Sequence, residues 1–372
     1  MTIVLLIYGS INYYLYRRIL HSASPDDFSS MIMRLGIIIL VLSYPIGRIF
    51  AGSWVGDIFI WIGSFWLGAM FYGLLLGLIF DFVRLCDIPF GWIPDVLLRN
   101  IFLTRRIFLI LSVLTVALLL WFGHLRSLKI ITNKLEISSS KIQHNAEEYH
   151  VAAFADSHLG AIVGLERLNH IVDKVNEIDA DICLIIGDLI DEPAERLSWV
   201  VEPLLRIKAR DGIFIVLGNH EYYAGVAGFT KLANEAGFKL LRDSAYTIKN
   251  AVNIIGLDDD SGRKQFKNDR VSIQKIAENL DTNLPTILMH HTPSRMFEAQ
   301  SQGVDLMISG HTHGGQIWPF NYITKIVFGV KQGLSRFGDM NFFLTNGVGT
   351  WGMPLRIGAE PEIVHFILKP EE

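Results

Sequence analysis

Cysteine and clustered positive charge are scarce in this chain of 372 residues. It has only two cysteines, Cys86 and Cys183, which excludes a disulfide framework as the source of its stability. The formal net charge is −4 and no run of lysine and arginine occurs, so no nucleic-acid partner is expected. Charged residues make up only 19% of the chain and hydrophobic residues 51%, which is too apolar for a purely soluble protein.

The apolar excess lies before about residue 125. Residues 58–80 and residues 107–123 are free of charge, and about 20 apolar residues are enough to cross the hydrocarbon core of a membrane. Residues 2–16 and 35–47 are weaker candidates, because the first contains polar residues and the second is short. An interfacial or re-entrant helix is the alternative for both. The sequence therefore predicts a transmembrane helical domain of about four spans over residues 1–124.

The placement of arginine and lysine predicts the orientation of these spans, because cytoplasmic loops are enriched in both residues. With four spans, seven of the cations nearest the membrane fall on one side and four on the other. The first group is Arg17, Arg18, Arg34, Arg84, Arg99, Arg105 and Arg106, and the second is Arg48, Arg126, Lys129 and Lys134. The balance predicts a multi-pass cell-membrane protein whose C-terminal part is extracytoplasmic.

The rest of the chain has the pattern of an α/β domain. Residues 125–148 are polar and predict a connector, and residues 149–372 then alternate between strand and helix patterns. The order βαβαβ at the start of this part implies a largely parallel sheet. Strands are predicted at 149–155, 182–186, 212–217, 252–257, 286–289, 304–309, 341–345 and 363–368, and helices at 163–178, 194–207 and 269–280.

Five of the predicted strands are followed at once by polar residues that can bind metal. The clusters are Asp156-Ser157-His158, Gly187-Asp188-Leu189-Ile190-Asp191, Gly218-Asn219-His220-Glu221, His290-His291-Thr292-Pro293 and Gly310-His311-Thr312-His313. Each cluster alone is as well explained by a helix cap, a turn or an exposed histidine pair. Because the carboxyl ends of parallel strands meet at one sheet edge, the five together predict one shared site. Carboxylate, imidazole and amide oxygen without thiolate suit Mn²⁺, Fe or Zn²⁺.

The order D-x-H, G-D-x-x-D, G-N-H-E, H-x-P and G-H-x-H over residues 148–370 resembles the calcineurin-like metallophosphoesterase superfamily. The stretches 310–316 (GHTHGGQ) and 347–361 are similar to its membrane-associated bacterial branch. The resemblance implies a four-layer αββα sandwich for residues 149–372 and a metal-dependent phosphoric ester hydrolase. One departure is Glu192, which stands where many members of the family have glycine.

The resemblance also implies the ligands of two divalent ions. They are Asp156, His158 and His313 for the first ion, Asn219, His291 and His311 for the second, and Asp188 as the bridge between them. His290 is the alternative to His291, which is preferred because it stands two residues before Pro293. His220 would be the catalytic general acid, oriented by Asp191 or Glu221.

The function that follows is a membrane-anchored, binuclear-metal phosphoesterase acting on a phosphoester, phosphodiester or pyrophosphate bond. The alternative is a membrane-anchored sensor or binding protein on an inactive hydrolase fold, against which the complete ligand set argues. The substrate is expected to be phosphorylated, and either lipid-linked or a soluble phosphodiester. The residues that bear on this choice are either ordinary core or an apolar rim that admits an acyl chain or rests on the membrane. They are Phe297, Trp318, Phe320, Tyr322, Ile323, Ile326, Val327 and Phe328.

Overall fold

The computed structural model describes residues 2–22, 27–94, 97, 99–143, 147–262 and 270–371. The chain divides into two compact units, of which the first is helical and the second is an α/β domain. The first comprises Met1–Leu125 with Gly352–Leu355, and the second Arg126–Trp351 with Arg356–Glu372.

Four long helices form most of the first unit. They are α1 (Thr2–Ser22), α2 (Asp27–Ile49), α3 (Trp54–Phe90) and α4 (Ile101–Leu128). The side chain of Ser53 caps the start of α3 by accepting a hydrogen bond from the Gly56 N–H at 3.1 Å. At the other end of this helix, Gly91 takes the left-handed conformation with a φ of 59°, which ends the helix without the steric penalty of a Cβ.

Three stretches of these helices are long and apolar enough to cross a membrane, namely Met31–Ile49, Trp54–Phe90 and Ile101–Leu128. Helix α1 has 21 residues but is not among them. Arg17 and Arg18, together with Asn12 and four tyrosines, lower its hydropathy, although the sequence analysis counted residues 2–16 as a span. By length and composition, three of the described helices could therefore cross a membrane, and the fourth predicted span, over residues 2–16, stays a prediction.

Small residues let α2 and α3 approach each other closely. A Cβ on Gly63 would lie 2.4 Å from the backbone nitrogen of Tyr44, and one on Gly47 would lie 2.6 Å from that of Ile60. Helix α1 is fixed by polar contacts instead, because its Asn12 accepts a hydrogen bond from the indole of Trp66 at 3.0 Å. Glycine contacts and buried amide hydrogen bonds are the usual means of packing helices in an apolar environment.

The second unit contains two six-stranded sheets. The first sheet consists of β1 (Ile131–Ser139), β2 (Tyr149–Phe154), β3 (Ile182–Ile186), β4 (Gly212–Val216), β5 (Lys239–Leu240) and the last strand, β12 (Glu362–Pro370). Its spatial order is β1-β12-β2-β3-β4-β5. Strands β2 to β5 are parallel, and β12 is antiparallel to β2 but parallel to β1.

The second sheet has the same size and a similar parallel centre. Its strands are β6 (Ser244–Ile248), β7 (Val252–Gly256), β8 (Thr286–Met289), β9 (Leu306–Ser309), β10 (Gly333–Phe337) and β11 (Met340–Leu344). The spatial order is β10-β11-β9-β8-β7-β6. The four central strands are parallel, and both edge strands are antiparallel to their neighbours.

Helices connect many of these strands along the chain. They are α5 (Leu165–Asn176), α6 (Val201–Leu204), α7 (Asn219–Ala224), α8 (Val226–Glu235), α9 (Ile273–Ala277), α10 (Met296–Ser301) and α11 (Phe320–Phe328). One buried cluster, which includes Val151 and Phe343, lies between the sheets. Two others pack α5 and α8 against the first sheet, and α9 and α10 against the second. The predicted four-layer αββα sandwich is therefore confirmed.

The predicted connector at 125–148 contains a strand, which corrects the sequence analysis. Residues of β1 pair in parallel with β12 from Ile131 to Ser139, and their side chains alternate between the core and solvent. Ile137 is buried between the two sheets. The polar residues Thr132, Lys134, Glu136 and Ser138 occupy the solvent face of this strand, so average polarity concealed a pattern of period two.

The helix predicted at 194–207 is also wrong. The structure has two 3-10 turns there, Ala194–Arg196 and Ser198–Val200, followed by the short helix α6. Leu197 leaves the helical region with φ −112° and ψ 30°. Pro203 cannot donate a backbone hydrogen bond and its ring obstructs the carbonyl four residues earlier, which prevents a continuous α-helix. Of the helix predicted at 269–280, the structure has α9, and residue 269 lies outside the described residues.

The position of β1 predicts where a stable soluble fragment must begin. A fragment of residues 126–372 should unfold at a temperature at least about 5 °C higher than one of residues 149–372. Removal of β1 exposes the edge of β12 and deletes Ile137, and emptying one such buried site typically costs about 2–5 kcal/mol. Circular dichroism during heating measures both fragments. Equal unfolding temperatures would show that β1 is not part of the domain.

Candidate metal centre

Loops after five strands bring the predicted ligands to one edge of the two sheets. They follow β2, β3 and β4 of the first sheet and β8 and β9 of the second. Backbone hydrogen bonds join these loops, as from Asp156 N–H to the Gly187 carbonyl at 3.1 Å and from Gly310 N–H to the His291 carbonyl at 2.9 Å. All five clusters named by the sequence analysis therefore meet at the ends of the parallel strands.

The first group of polar side chains is Asp156, His158 and His313. The Nε2 atoms of the two histidines lie 2.9 Å apart, and Nε2 of His313 lies 3.6 Å from Oδ1 of Asp156. All three residues are buried. Two imidazole nitrogens that face each other beside a buried carboxylate require a shared proton or a cation, so the three can hold a metal ion.

The second group is Asp188, His291 and His311, joined by Asn219. Nε2 of His291 lies 3.0 Å from Oδ2 of Asp188, and Nδ1 of His311 lies 2.9 Å from the amide oxygen of Asn219. The opposite nitrogen of His291 is hydrogen-bonded to the Ile186 carbonyl at 2.8 Å, which fixes the ring with Nε2 towards the group. These residues form a second set that can hold an ion.

His290 does not join either group, although the sequence left it as an alternative to His291. Both of its ring nitrogens are buried without a hydrogen-bond partner, and burial lowers the pKa of the ring to about 4. Among the described residues, His291 therefore belongs to a group that could hold an ion, and His290 does not.

Asp188 lies between the two groups. Its Oδ2 is 3.8 Å from Nε2 of His158 in the first group and 3.0 Å from Nε2 of His291 in the second. Burial raises the pKa of this carboxyl, but the charges of the two histidines outweigh burial and lower it below the usual range. Burial lowers the pKa of the His291 ring, but the negative charge of Asp188 outweighs burial and raises this pKa well above its ordinary value. The carboxylates thus favour positive charge at the point where the two groups meet, which fits a site for cations.

The carboxylate of Asp191, and not that of Glu221, contacts the ring of His220. Oδ1 of Asp191 lies 2.5 Å from Nδ1 of His220 and 2.9 Å from Nδ1 of His158. Burial raises the pKa of the Asp191 carboxyl, but both histidines outweigh burial and keep it below its usual range. Of the two orienting residues left open by the sequence, the structure therefore favours Asp191, which bonds two candidate site histidines at once.

Glu221 has a different position, because its fully buried carboxylate binds backbone groups. It accepts hydrogen bonds from the N–H groups of Asp188 at 2.9 Å, Leu189 at 2.7 Å and Gly218 at 2.7 Å. Burial and the nearby charge of Asp188 raise the pKa of this carboxyl to about 6, which the backbone donors oppose. Glu221 thereby connects the loop after β3 to the loop after β4.

Five of the predicted ligands have a left-handed backbone. Their φ angles are 56° at Asp156, 51° at His158, 51° at Asp188, 70° at His311 and 51° at His313. Residues with a Cβ rarely adopt this region, and each such residue costs about 1–3 kcal/mol. Strain of this kind concentrates at functional sites, where the surrounding structure enforces it.

Two glycines make room for the carboxylates. A Cβ on Gly218 would lie 2.1 Å from Oδ1 of Asp188, and one on Gly310 would lie 2.5 Å from Oδ2 of Asp156. Backbone donors fill the space instead, because the His220 N–H bonds Asp188 at 2.9 Å and the His311 N–H bonds Asp156 at 2.9 Å. The glycines of the G-N-H-E and G-H-x-H motifs thus allow the backbone to contact the candidate ligands.

Glu192, the one departure from the family pattern, closes its loop with a side-chain contact. Its carboxylate accepts a hydrogen bond from the Ala161 N–H at 3.0 Å. The side chain also lies next to Gly160, where an added Cβ would be 3.1 Å from Oε1. The loop after β3 is therefore attached to the loop after β2.

Arg356 was missed by the sequence analysis. This side chain is fully buried and donates to the carbonyl oxygens of His313 at 2.8 Å, Asn346 at 2.7 Å and Gly349 at 2.5 Å. Burial lowers its pKa to about 10. It holds His313 against the stretch that precedes β12. The sequence feature that could have indicated Arg356 is its position as a single basic residue in the mostly apolar and glycine-rich stretch 347–361.

Comparison with known proteins gives consistent matches. The family described as calcineurin-like phosphoesterase matches residues 149–315. An uncharacterized metallophosphoesterase of Helicobacter pylori is 34% identical over 227 residues, which are 60% of this chain and 61% of that protein. An uncharacterized metallophosphoesterase of Aquifex aeolicus is 30% identical over 250 residues, which cover 67% of this chain and 95% of that protein. A transmembrane protein with metallophosphoesterase domain of Danio rerio is 32% identical over 246 residues, 63% and 56% of the two chains.

The match to the Aquifex aeolicus protein covers nearly all of that relative. This chain therefore belongs to the calcineurin-like metallophosphoesterase family, and the family predicted from the five motifs is confirmed. The chain spans 61% of the length of the Helicobacter pylori relative and 56% of that from Danio rerio.

Proposed function

We propose that this chain is a membrane-anchored phosphoesterase that uses two divalent metal ions to hydrolyse a phosphoester, phosphodiester or pyrophosphate bond. The observation that carries the proposal is the position of the Asp188 carboxylate, within 4 Å of a ring nitrogen in each histidine group. A carboxylate in that position can hold two ions a short distance apart. Paired ions of this kind are suited to displacement at phosphorus.

The proposed ligands are those expected from the sequence. Asp156, His158 and His313 would hold the first ion, Asn219, His291 and His311 the second, and Asp188 both. Their oxygen and nitrogen donors fit Mn²⁺, Fe or Zn²⁺. When bound, the ions supply positive charge that activates a water molecule and stabilises the charge on the phosphate oxygens.

His220 is proposed to donate the proton that the leaving oxygen requires. Its Nδ1 is bonded to Asp191, which leaves Nε2 as the nitrogen that can transfer a proton. Asp191 holds the ring in this orientation. The alternative, a binding protein on an inactive hydrolase fold, is disfavoured because all seven proposed ligands and His220 lie together.

The first test separates catalysis from metal binding. With Mn²⁺, the purified full chain should hydrolyse bis-p-nitrophenyl phosphate or p-nitrophenyl phosphate, and His220→Gln should lower kcat about 10²–10⁴-fold because it removes the proton donor. Metal content, measured by mass spectrometry of the digested protein, should stay at the wild-type level. The matched control is His170→Gln on α5, which should retain full activity.

Two results would contradict this assignment. Full activity of His220→Gln would remove its role as the acid. No hydrolysis of either ester by the metal-loaded wild type would favour the inactive fold.

We also propose that the substrate carries an apolar chain. Helix α11 has no buried residue, and Ile326 and Val327 are 80% and 68% exposed. This patch continues to the site, because the ring of Phe328 at the end of α11 lies 5.8 Å from that of His311 in an edge contact. Of the two interpretations left open by the sequence, the exposure favours an apolar rim over ordinary core.

Aromatic residues extend the rim on the side of His220. Trp351, which is 55% exposed, has its ring 6.0 Å from that of His220, and the exposed ring of Tyr223 lies 5.5 Å from it. A phosphorylated head group at the metal centre would therefore have apolar surface on both sides. This arrangement supports a lipid-linked substrate over a soluble phosphodiester.

A charged substitution on α11 should separate the two substrate classes. Ile326→Glu with Val327→Glu should lower kcat/KM for phosphatidic acid or a lipid pyrophosphate in detergent micelles at least about tenfold, because it places charge against the acyl chain. Hydrolysis of bis-p-nitrophenyl phosphate should be unchanged. Leu205→Glu, at an exposed apolar residue outside α11, is the control. Activity confined to soluble esters would remove the lipid proposal.

We further propose that the phosphoesterase unit is extracytoplasmic and that the chain is a multi-pass protein of the cell membrane. With α2, α3 and α4 as the spans, seven arginines still lie on one side of the membrane and four cations on the other. If α1 does not span, only the N-terminus changes sides, so the balance predicts the same orientation. Alkaline phosphatase fused after residue 128 should be active, and a fluorescent protein fused there should be dark after export. The reverse pattern would place the unit in the cytoplasm.

A further inference from the structure

The helical unit contains a cavity that the phosphoesterase chemistry does not use. It lies between α1, α2, α3 and α4 and has a volume of about 940 Å³. Most of its wall is apolar. Representative lining residues are Leu15, Ile37, Phe65, Trp66, Val116 and Leu120. A cavity of this size and composition is in the range of sites that bind organic ligands.

One end of the cavity is basic. Arg17 and Arg18 of α1, Arg84 of α3 and Arg105 of α4 line it, and Asp81 is the only carboxylate among the lining residues. Four arginines against one aspartate leave three positive charges without a carboxylate in the cavity wall.

The contacts of Arg18, and the positions of the other arginines along their helices, place these residues at the same end. Arg18 pairs with Asp81 at 2.5 Å and lies over the ring of Phe108 at 5.9 Å. Arg84 is one helical turn beyond Asp81, and Arg105 is one turn before Phe108. Because Arg18 occupies Asp81, the other three arginines have no ion-pair partner within the described part of the chain.

An apolar cavity that ends in unpaired arginines is complementary to an anionic amphiphile. Guanidinium groups bind phosphate oxygens through paired hydrogen bonds, and their charge is only weakly hydrated. Basic pockets between membrane helices bind lipid head groups on this principle. A free anion would satisfy the arginines but would leave the apolar part of the cavity unfilled.

We propose that the helical unit binds one anionic glycerophospholipid, with its phosphate among Arg17, Arg84 and Arg105 and its acyl chains in the cavity between α1, α2, α3 and α4. The site uses residues of the helical unit alone, and the proposal does not rest on the phosphoesterase activity. The arginines select the charged head group, and the apolar wall binds the chains.

Native mass spectrometry of the full chain in detergent can test this site by titration with two lipids. Phosphatidylglycerol should bind as one molecule per chain and at least tenfold more tightly than phosphatidylcholine with the same acyl chains. Arg84→Gln with Arg105→Gln should lower the affinity for phosphatidylglycerol at least tenfold, because two of the three unpaired charges are lost. The affinity for phosphatidylcholine should change little.

The matched control is Arg99→Gln with Arg106→Gln. Both residues are exposed, lie near the start of α4 and are absent from the cavity lining, so the change in net charge is the same. This control should keep the wild-type preference for phosphatidylglycerol. Equal weakening by both double variants would show general attraction to the protein surface and would overturn the proposal.

A second variant tests the cavity with the arginines intact. Gly73 lines the cavity, and a Cβ there would meet Leu15 only at an ordinary distance of 3.5 Å, so Gly73→Phe should fold and fill the space. It should abolish the one-to-one phosphatidylglycerol complex. Retained binding would place the lipid elsewhere. Binding of soluble glycerol 3-phosphate as tight as that of phosphatidylglycerol would identify a free-anion site and contradict a lipid site.

Discussion

The geometry of the candidate metal centre depends on the hydrogen bonds of the buried Glu221 carboxylate. This carboxylate joins the loops after β3 and β4 by accepting N–H groups from both, including those of Asp188 and Gly218. A carboxylate without donors in this position would be strongly destabilising, and the N–H groups without the carboxylate would be unsatisfied. Asp188 lies in the first of these loops, and Asn219 and His220 directly follow Gly218 in the second. Glu221 therefore sets the distance between candidate site residues that come from different strands.

Contacts of this kind explain how the strained backbone of the candidate ligands is held in place. Five candidate ligands have positive φ, at about 1–3 kcal/mol each. The hydrogen bonds of Glu221, the contact of Glu192 with Ala161 and the bonds from Arg356 to the carbonyl oxygens around His313 hold the loops in these conformations. The buried clusters on both sides of each sheet supply the rigid base from which the loops extend. The site is therefore preorganised by buried polar groups that are not themselves proposed ligands.

The sequence predicted the parts of this structure that have a local signal. Strongly apolar strands such as β3 and β9 ended where the polar clusters began, so the convergence of those clusters followed from the rule for parallel sheets. Strand β1 was missed because its solvent face is polar, and the helix at 194–207 failed because Pro203 interrupts it. The choice between Asp191 and Glu221, and the role of Arg356, depend on contacts between residues far apart in the chain. No spacing in one sequence encodes those contacts.

The central claim is that Asp188 connects two ions at one site. The most direct measurement is the metal content of the purified full chain after saturation with Mn²⁺ and removal of free ions, determined by inductively coupled plasma mass spectrometry. The account predicts two ions per wild-type chain and at most one per chain for Asp188→Asn, because the shared ligand is lost. A single ion in the wild type, or two ions retained by Asp188→Asn, would contradict it.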